Sequence, residues 1–439
     1  MPAVTVQREP TFEESLEVTE DGDAVIEVSA ARGALRSRDF RVLWIGIIAS
    51  GVGTWMQNVV LGAFTWKISH SPTFVSVVYF AQLGPTLLLA PLGGLLADAL
   101  DRRKLILFAQ VEQLAAAVLL AVVVAPQHPS RVLICASVFL GGIGQTLNGP
   151  AQSALLPQLV ERRHLSGAIS LNSAQMNGAR VVGPAVGGVL YAVMGASAVF
   201  GINAATYLFA IVAVLMVRAR PQARVSDGTS GVRRILDGFA LARDNLVLRR
   251  VLVTMTLFSL FSLPFVGQMP TIAAENLGME PKSLAYGLLY ATFAVGALFG
   301  ALSIGTFLSR LDLRQVTQVA LAAFAGLLFV FALLRSPVPA YPVVALFGFA
   351  YFAAVTSLST VLQEEVDDAF RGRIMSLWQL AFAGMVPVGV MAAGPVAELF
   401  SIRVVLLYGA VAAAGLSWYA RVSRGAGRPG APAPPPGSP

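Results

Sequence analysis

Cysteine, histidine and charge are all scarce in this chain. Its 439 residues include one cysteine and three histidines, and only 13% are Asp, Glu, Lys or Arg. A single cysteine excludes an intramolecular disulfide, and Cys135, inside an apolar run, reads as a small packing residue. His70, His128 and His164 fall in separate turns with no Cys/His ligand spacing, so no metal site is expected. No Gly-x-x-x-x-Gly-Lys-Ser/Thr run is present, which excludes a phosphate-cradling ATPase loop of that kind. No nucleophile, base and orienting acid come together in a recognisable pattern, so neither an enzyme nor a cofactor is expected. Soluble domains carry about 25% charged residues. A chain that is 56% hydrophobic, with its apolar residues gathered in long runs, is not an ordinary soluble globule. The net charge of +7 does not indicate nucleic acid, because the basic residues sit in short turns between apolar runs.

What the sequence does have is long hydrophobic segments. A helix needs roughly 20 apolar residues to cross a bilayer. Twelve candidates are read near 42–66, 74–97, 105–125, 132–157, 166–193, 197–217, 248–274, 284–308, 315–335, 341–362, 374–398 and 402–422. The expectation is an all-α membrane protein of twelve transmembrane helices in two six-helix halves, 36–217 and 246–422. Residues 218–245, with Pro221, Asp227-Gly228 and many arginines, read as the linker between them. Residues 1–35 are polar and acidic, wrong for a signal peptide, and read as a disordered cytoplasmic tail; 423–439 are Gly/Pro/Ala-rich and read the same way.

Orientation follows from lysine and arginine. With the N-terminus inside, the inner loops and flanks hold Arg36, Arg38, Arg41, Arg102, Arg103, Lys104, Arg162, Arg163, Arg310, Arg314, Arg371 and Arg373. The outer turns hold only Lys67, Arg131, Lys282, Arg335 and Arg403. Both termini are therefore expected in the cytoplasm. The halves also echo each other: Gly94, Asp101 and Leu100 recur as Gly305, Asp312 and Leu311, and Leu156, Ser170, Gly183 and Gly188 recur as Leu362, Ser376, Gly389 and Gly394. Such a repeat is what two bundles rocking about a midplane site leave in a sequence.

Three constellations carry chemistry. The turn Gly94-Leu-Leu-Ala-Asp98-Ala-Leu-Asp101-Arg102-Arg103-Lys104 is a tight charged hairpin; topogenic charge accounts for part of its basic run but not for Asp98 and Asp101. Helix 5 carries Gly183-Pro184-Ala185-Val186-Gly187-Gly188, where small residues permit close helix approach, in ordinary packing as well as in gating. Arg180 and Glu112 lie inside spans, where a charge costs roughly 2.5–3.5 kcal/mol and normally faces a bundle interior or a water-filled cavity. Asn177 shares the face of Arg180. Glu112 is a candidate protonation site, or else a carboxyl used in helix packing.

The charged turn resembles the loop between helices 2 and 3 of major facilitator superfamily transporters. The Gly-Pro-x-x-Gly-Gly spacing is similar to that of helix 5 in drug/proton antiporters of that superfamily. Arg41-Val-Leu-Trp44 with Ser50-Gly-Val-Gly-Thr-Trp-Met-Gln57, Leu100-Asp-Arg-Arg103, Asn177-Gly-Ala-Arg180 and Arg371-Gly-Arg373 resemble the enterobactin-exporter-like and macrolide-efflux-like subgroup, over about 36–422. The resemblance implies export. It implies that Asp98 bridges the halves in one state and that Gly94, Asp101, Arg102 and Arg103 belong to the same latch. It implies a cavity lined by helices 1, 4, 7 and 10, which carry Gln57, Asn58, Gln145, Asn148, Gln268, Thr356 and Ser357 beside Trp55, Trp66, Phe258, Phe261 and Phe265. Asp101 stands where the broad superfamily has Gly, and the arginine of helix 4 in many proton antiporters is absent from Leu140–Gln145.

The combined expectation is a monomeric bacterial inner-membrane exporter of an amphipathic small molecule, a siderophore or a drug, driven by proton antiport. Its partners are that substrate, protons and the lipid bilayer, not nucleic acid. A lipid or nutrient transporter of the same fold is the first alternative, and a transport-inactive receptor or assembly platform using the two tails is the second.

Overall fold

A computed structural model describes residues 31–218, 239, 241–308 and 310–421, and only the backbone of 88, 90–99, 368 and 369. Residues 1–30 and 423–439 of the expected tails and most of the expected linker lie outside the described residues; residues 31–35, expected in the disordered tail, are instead helical, with Ala34 buried against the first helices.

Twelve long helical segments follow one another in the described chain. They are α1 (Arg38–Ser69), α2 (Pro72–Ala99), α3 (Arg102–Val123), α4 (Arg131–Leu159), α5 (Leu165–Met194) and α6 (Ala196–Met216). After these come α7 (Leu246–Leu257, continued by a π turn at Phe258–Ser262), α8 (Leu284–Gly305), α9 (Leu313–Leu333) and α10 (Pro337–Glu364). The last two are α11 (Asp368–Gln379, a π turn at Leu380–Gly384, then Met385–Leu399) and α12 (Ile402–Tyr419). Ten of the twelve meet both length and hydropathy for crossing a membrane. The polar starts repeat a local rule, because a side-chain oxygen accepts from an otherwise orphaned N–H of the first turn. Ser37, Asp101, Ser130, Asn245, Ser283, Asp312 and Ser401 all cap helices in this way.

Helices α1–α6 pack on one another, and so do α7–α12. Two helix pairs dominate the join between the sets, α2 with α11 and α5 with α8. The core of the second set is aromatic: the Phe265, Phe324 and Phe258 rings lie 4.6, 4.6 and 4.8 Å from Phe347, Phe347 and Phe324 respectively. An even number of passes leaves Ser37 and Arg421 at the same end of the bundle, called here the terminal end. The opposite, distal end holds the α1–α2, α3–α4 and α5–α6 turns.

Candidate functional site

The two sets are locked together at the distal end. Ser71 Oγ and the Thr73 N–H donate to Glu398 of α11, at 2.9 and 3.2 Å. Ser76 donates to the Val390 carbonyl at 2.6 Å, and Gln268 Nε2 donates to the Pro72 carbonyl at 2.9 Å and to Ser76 Oγ at 2.6 Å. In α5, each glycine of the Gly-Pro-x-x-Gly-Gly motif meets another helix. A Cβ on Gly183 or Gly187 would strike Trp55 or Met56 of α1, and one on Gly188 would stand 2.8 Å from the Cα of Gly287 in α8. Two glycines thus seat α5 on α1, and the third lets α5 touch α8 across the seam, with Pro184 O beside Gly287. Distal cations are tied down as well: Arg335 and Arg403 donate to Asn276 Oδ1, and Arg131 and Lys282 sit over Phe74 and Tyr191.

Between this closed end and the middle of the bundle lies a cavity of about 150 Å³. Its walls come from both sets: Trp55, Asn58 and Thr65 of α1, Tyr79 and Gln82 of α2, Gln145 of α4, and Tyr286 and Tyr290 of α8. The lining is aromatic with a few amides and no ionised side chain. Such a surface binds an apolar body and orients it through hydrogen bonds. Gln82 Nε2 donates to Asn58 Oδ1 at 2.6 Å, which fixes both amides at the wall. Gln145, Gly149 and Ser153, four residues apart on α4, are all exposed, so that face stays accessible from mid-bundle toward the terminal end.

A second, much smaller space of about 20 Å³ lies within the first set of helices, lined by Thr54, Gln57, Gln113, Ser137 and Tyr207 among others. It shares Asn58, Gln82 and Gln145 with the central cavity. Asn203 donates to Gln57 at 2.7 Å, and the Thr54 and Tyr207 hydroxyls are 3.0 Å apart. Glu112 stands midway along α3, against α4. Its carboxylate fills the space where a Cβ of Gly144 would be, beside that residue's backbone, and both oxygens are buried.

The other residues singled out in the sequence take varied places. Asn58 and Gln145 line the central cavity; Gln57 faces the smaller space; Asn148 accepts from Gln110 at 3.4 Å. Gln268 is part of the distal lock and does not line the cavity. Asn177 donates to the Ser173 carbonyl of its own helix. Arg180 lies 4.9 Å from the rings of both Trp55 and Phe352. Phe258 and Phe265 are buried in the aromatic core rather than at the cavity, and Ser357 bonds Thr317 inside the second set. Asp101 caps α3, Arg102 donates to Ala154 O, and Arg103 donates to Val214 O and Leu215 O, which ties the start of α3 to the ends of α4 and α6. Gly94 and Asp98 lie on α2 where only the backbone is described. Sequence reasoning missed Tyr79, Gln82, Tyr286, Tyr290 and Glu398.

Comparison with known proteins agrees with this architecture. Residues 29–423 match the major facilitator family described as "Transmembrane secretion effector". Relatives include a staphyloferrin A transporter of Staphylococcus aureus, 25% identical over 80% of this chain and 87% of its own. A macrolide efflux protein A of Streptococcus pyogenes is 22% identical over the same shares, and an enterobactin exporter of Escherichia coli is 26% identical over 80% of each chain. Among solved structures, a mutant of the nucleoside transporter NupG has a TM-score of 0.72 at 14% identity, covering 87% of this chain and 99% of that one. A bacterial homologue of ferroportin in an inward-facing state has a TM-score of 0.68 at 17% identity, covering 88% and 99%. With its match spanning nearly the whole described chain, the protein belongs to the transmembrane secretion effector family of the major facilitator superfamily and is a multi-pass membrane transporter.

Proposed function

We propose that this transporter exports an amphipathic small molecule from a bacterial cytoplasm by alternating access, in exchange for protons. The observation that carries the reading is the aromatic, amide-edged cavity closed at the distal end. The excess of lysine and arginine at the terminal end supports a cytoplasmic location for it, so that in this reading the cavity receives its cargo from inside. Rocking of α1–α6 against α7–α12 would break the distal lock and release the cargo outside. The relatives that move a siderophore or a macrolide outward support the direction and the size of the cargo.

Glu112 is the proton-coupling residue in this reading. A buried carboxylate midway through a membrane helix is costly, so its two protonation states differ strongly in energy, as a coupling site requires. Each proton that enters down a membrane potential contributes about 2.3 kcal/mol per 100 mV. Inverted vesicles with an imposed proton gradient test the reading, using a panel of catecholates, macrolides and cationic dyes. Substrate-triggered proton release, abolished by Glu112→Gln, is the expected result. Release that survives in that variant discards Glu112, and no response from folded protein to any compound discards export.

A further inference from the structure

Among the described residues, Arg180 is a cation without a counter-ion. It stands midway along α5, with its guanidinium carbon 4.9 Å from the ring of Trp55 and 4.9 Å from that of Phe352. Its Nε is buried and has no hydrogen-bond partner. No ion pair reaches it among the described residues. Away from their first and last turns, the twelve helices contain one acidic residue, Glu112, and both of its oxygens are buried. Among the described residues, this positive charge at mid-depth has no acidic partner.

Two aromatic rings offset part of that cost. A cation over a ring gains about 0.5–1 kcal/mol when exposed and about 2 or more when desolvated. The rings leave the Nε–H without an acceptor, however, and a guanidinium matches an oxyanion through paired N–H bonds. Trp55, one of the two rings, is also a wall of the central cavity. Arg180 stands just outside the cavity lining, on the ring of Trp55, so an acidic group at that wall lies one aromatic ring from the guanidinium.

We propose that Arg180 is the anion-recognition residue of the central cavity, and that the exported molecule carries a carboxylate or similar oxyanion on an apolar, ring-containing body. This rests on reading the cavity as the export route, and it narrows the cargo to an acid rather than an amine. Arg180 belongs to one helix set and Phe352 to the other, so a ligand that takes the guanidinium alters a contact between the sets as it binds.

The test uses three probes of one shape: naphthoate, naphthamide and naphthylmethylamine. Their equilibrium binding to the purified full-length protein is compared, and their uptake into inverted vesicles is followed in parallel. Charge-assisted hydrogen bonds predict that naphthoate binds roughly ten- to a hundredfold more tightly than naphthamide. Arg180→Gln brings that ratio close to one, and Arg180→Lys lowers it without abolishing it. A merely structural role for Arg180 would leave the ratio unchanged. Naphthoate binding no better than naphthamide in the wild type overturns the proposal, whether or not the variants fold. Uptake of all three probes without an acid preference overturns the anion site and leaves export standing. Acid-selective binding without uptake supports the anion site and removes the export reading.

Discussion

Gly188→Ala tests the distal lock most directly. A Cβ at this position would stand 2.8 Å from the Cα of Gly287 and 3.3 Å from its nitrogen. Both are backbone atoms, so no side chain can swing aside and α5 must move away from α8. Overpacking of this kind costs about 1–3 kcal/mol. In the proposed alternating-access cycle these residues separate when the distal end opens, so the cost falls on the distally closed state alone. A differential cost of about 2 kcal/mol changes the ratio of closed to open by about 30-fold. The assay is the distance between spin labels at His128→Cys and Phe400→Cys in a Cys135→Ala background. Both label sites are exposed near the distal end, one in each helix set. The unsubstituted protein should give one short distance, and Gly188→Ala should add a longer population that dominates. A distance distribution unchanged by the substitution, in protein that still folds, would refute the argument that this glycine contact sets the state.

Two further substitutions probe the same end of the molecule. Glu398→Gln removes the charge from the acceptor of Ser71 Oγ and the Thr73 N–H. It should shift the same label distances in the same direction as Gly188→Ala but by less, since exposed charge interactions are worth below about 1 kcal/mol; a larger shift would contradict this ranking. Asn276→Ala removes a hub. Its Nδ2 donates to the carbonyls of Phe331, Ala332 and Leu334, and its Oδ1 accepts from Arg335 and Arg403. Losing it leaves buried carbonyls and two guanidinium groups short of partners, at roughly 2–4 kcal/mol. The thermal unfolding midpoint should fall clearly, and an unchanged midpoint would show that the hub is dispensable.

Much of the fold could be read from one dimension. Long apolar runs, short basic turns and a capping Ser, Asp or Asn at many helix starts are local signals, and each corresponds to a local energy: bilayer insertion, charge retention or an N-terminal hydrogen bond. The helix 5 motif was also legible, because three small residues at that spacing have few uses other than close approach. The charge of Arg180 and Glu112 at membrane depth was visible for the same reason, since neither residue type is placed there without cause.

The sequence did not determine which polar side chain faces which space, because that depends on helix rotation and on breaks in the helices. Gln145 and Gln268 are the same amide on two helices both expected to line the cavity. One is exposed to it; the other follows Pro264 in the irregular stretch after α7 and turns to Pro72 and Ser76 across the seam. Phe258 and Phe265, expected at the cavity, are drawn into the aromatic core of α8–α10 by the same break. Hydropathy fixes that a residue is in the membrane and roughly how deep. Only packing of one helix set against the other decides whether it meets lipid, a neighbouring helix or the cargo, and the state of the seam, closed at the distal end by Gly188, Gly287 and Glu398, is a property of that packing alone.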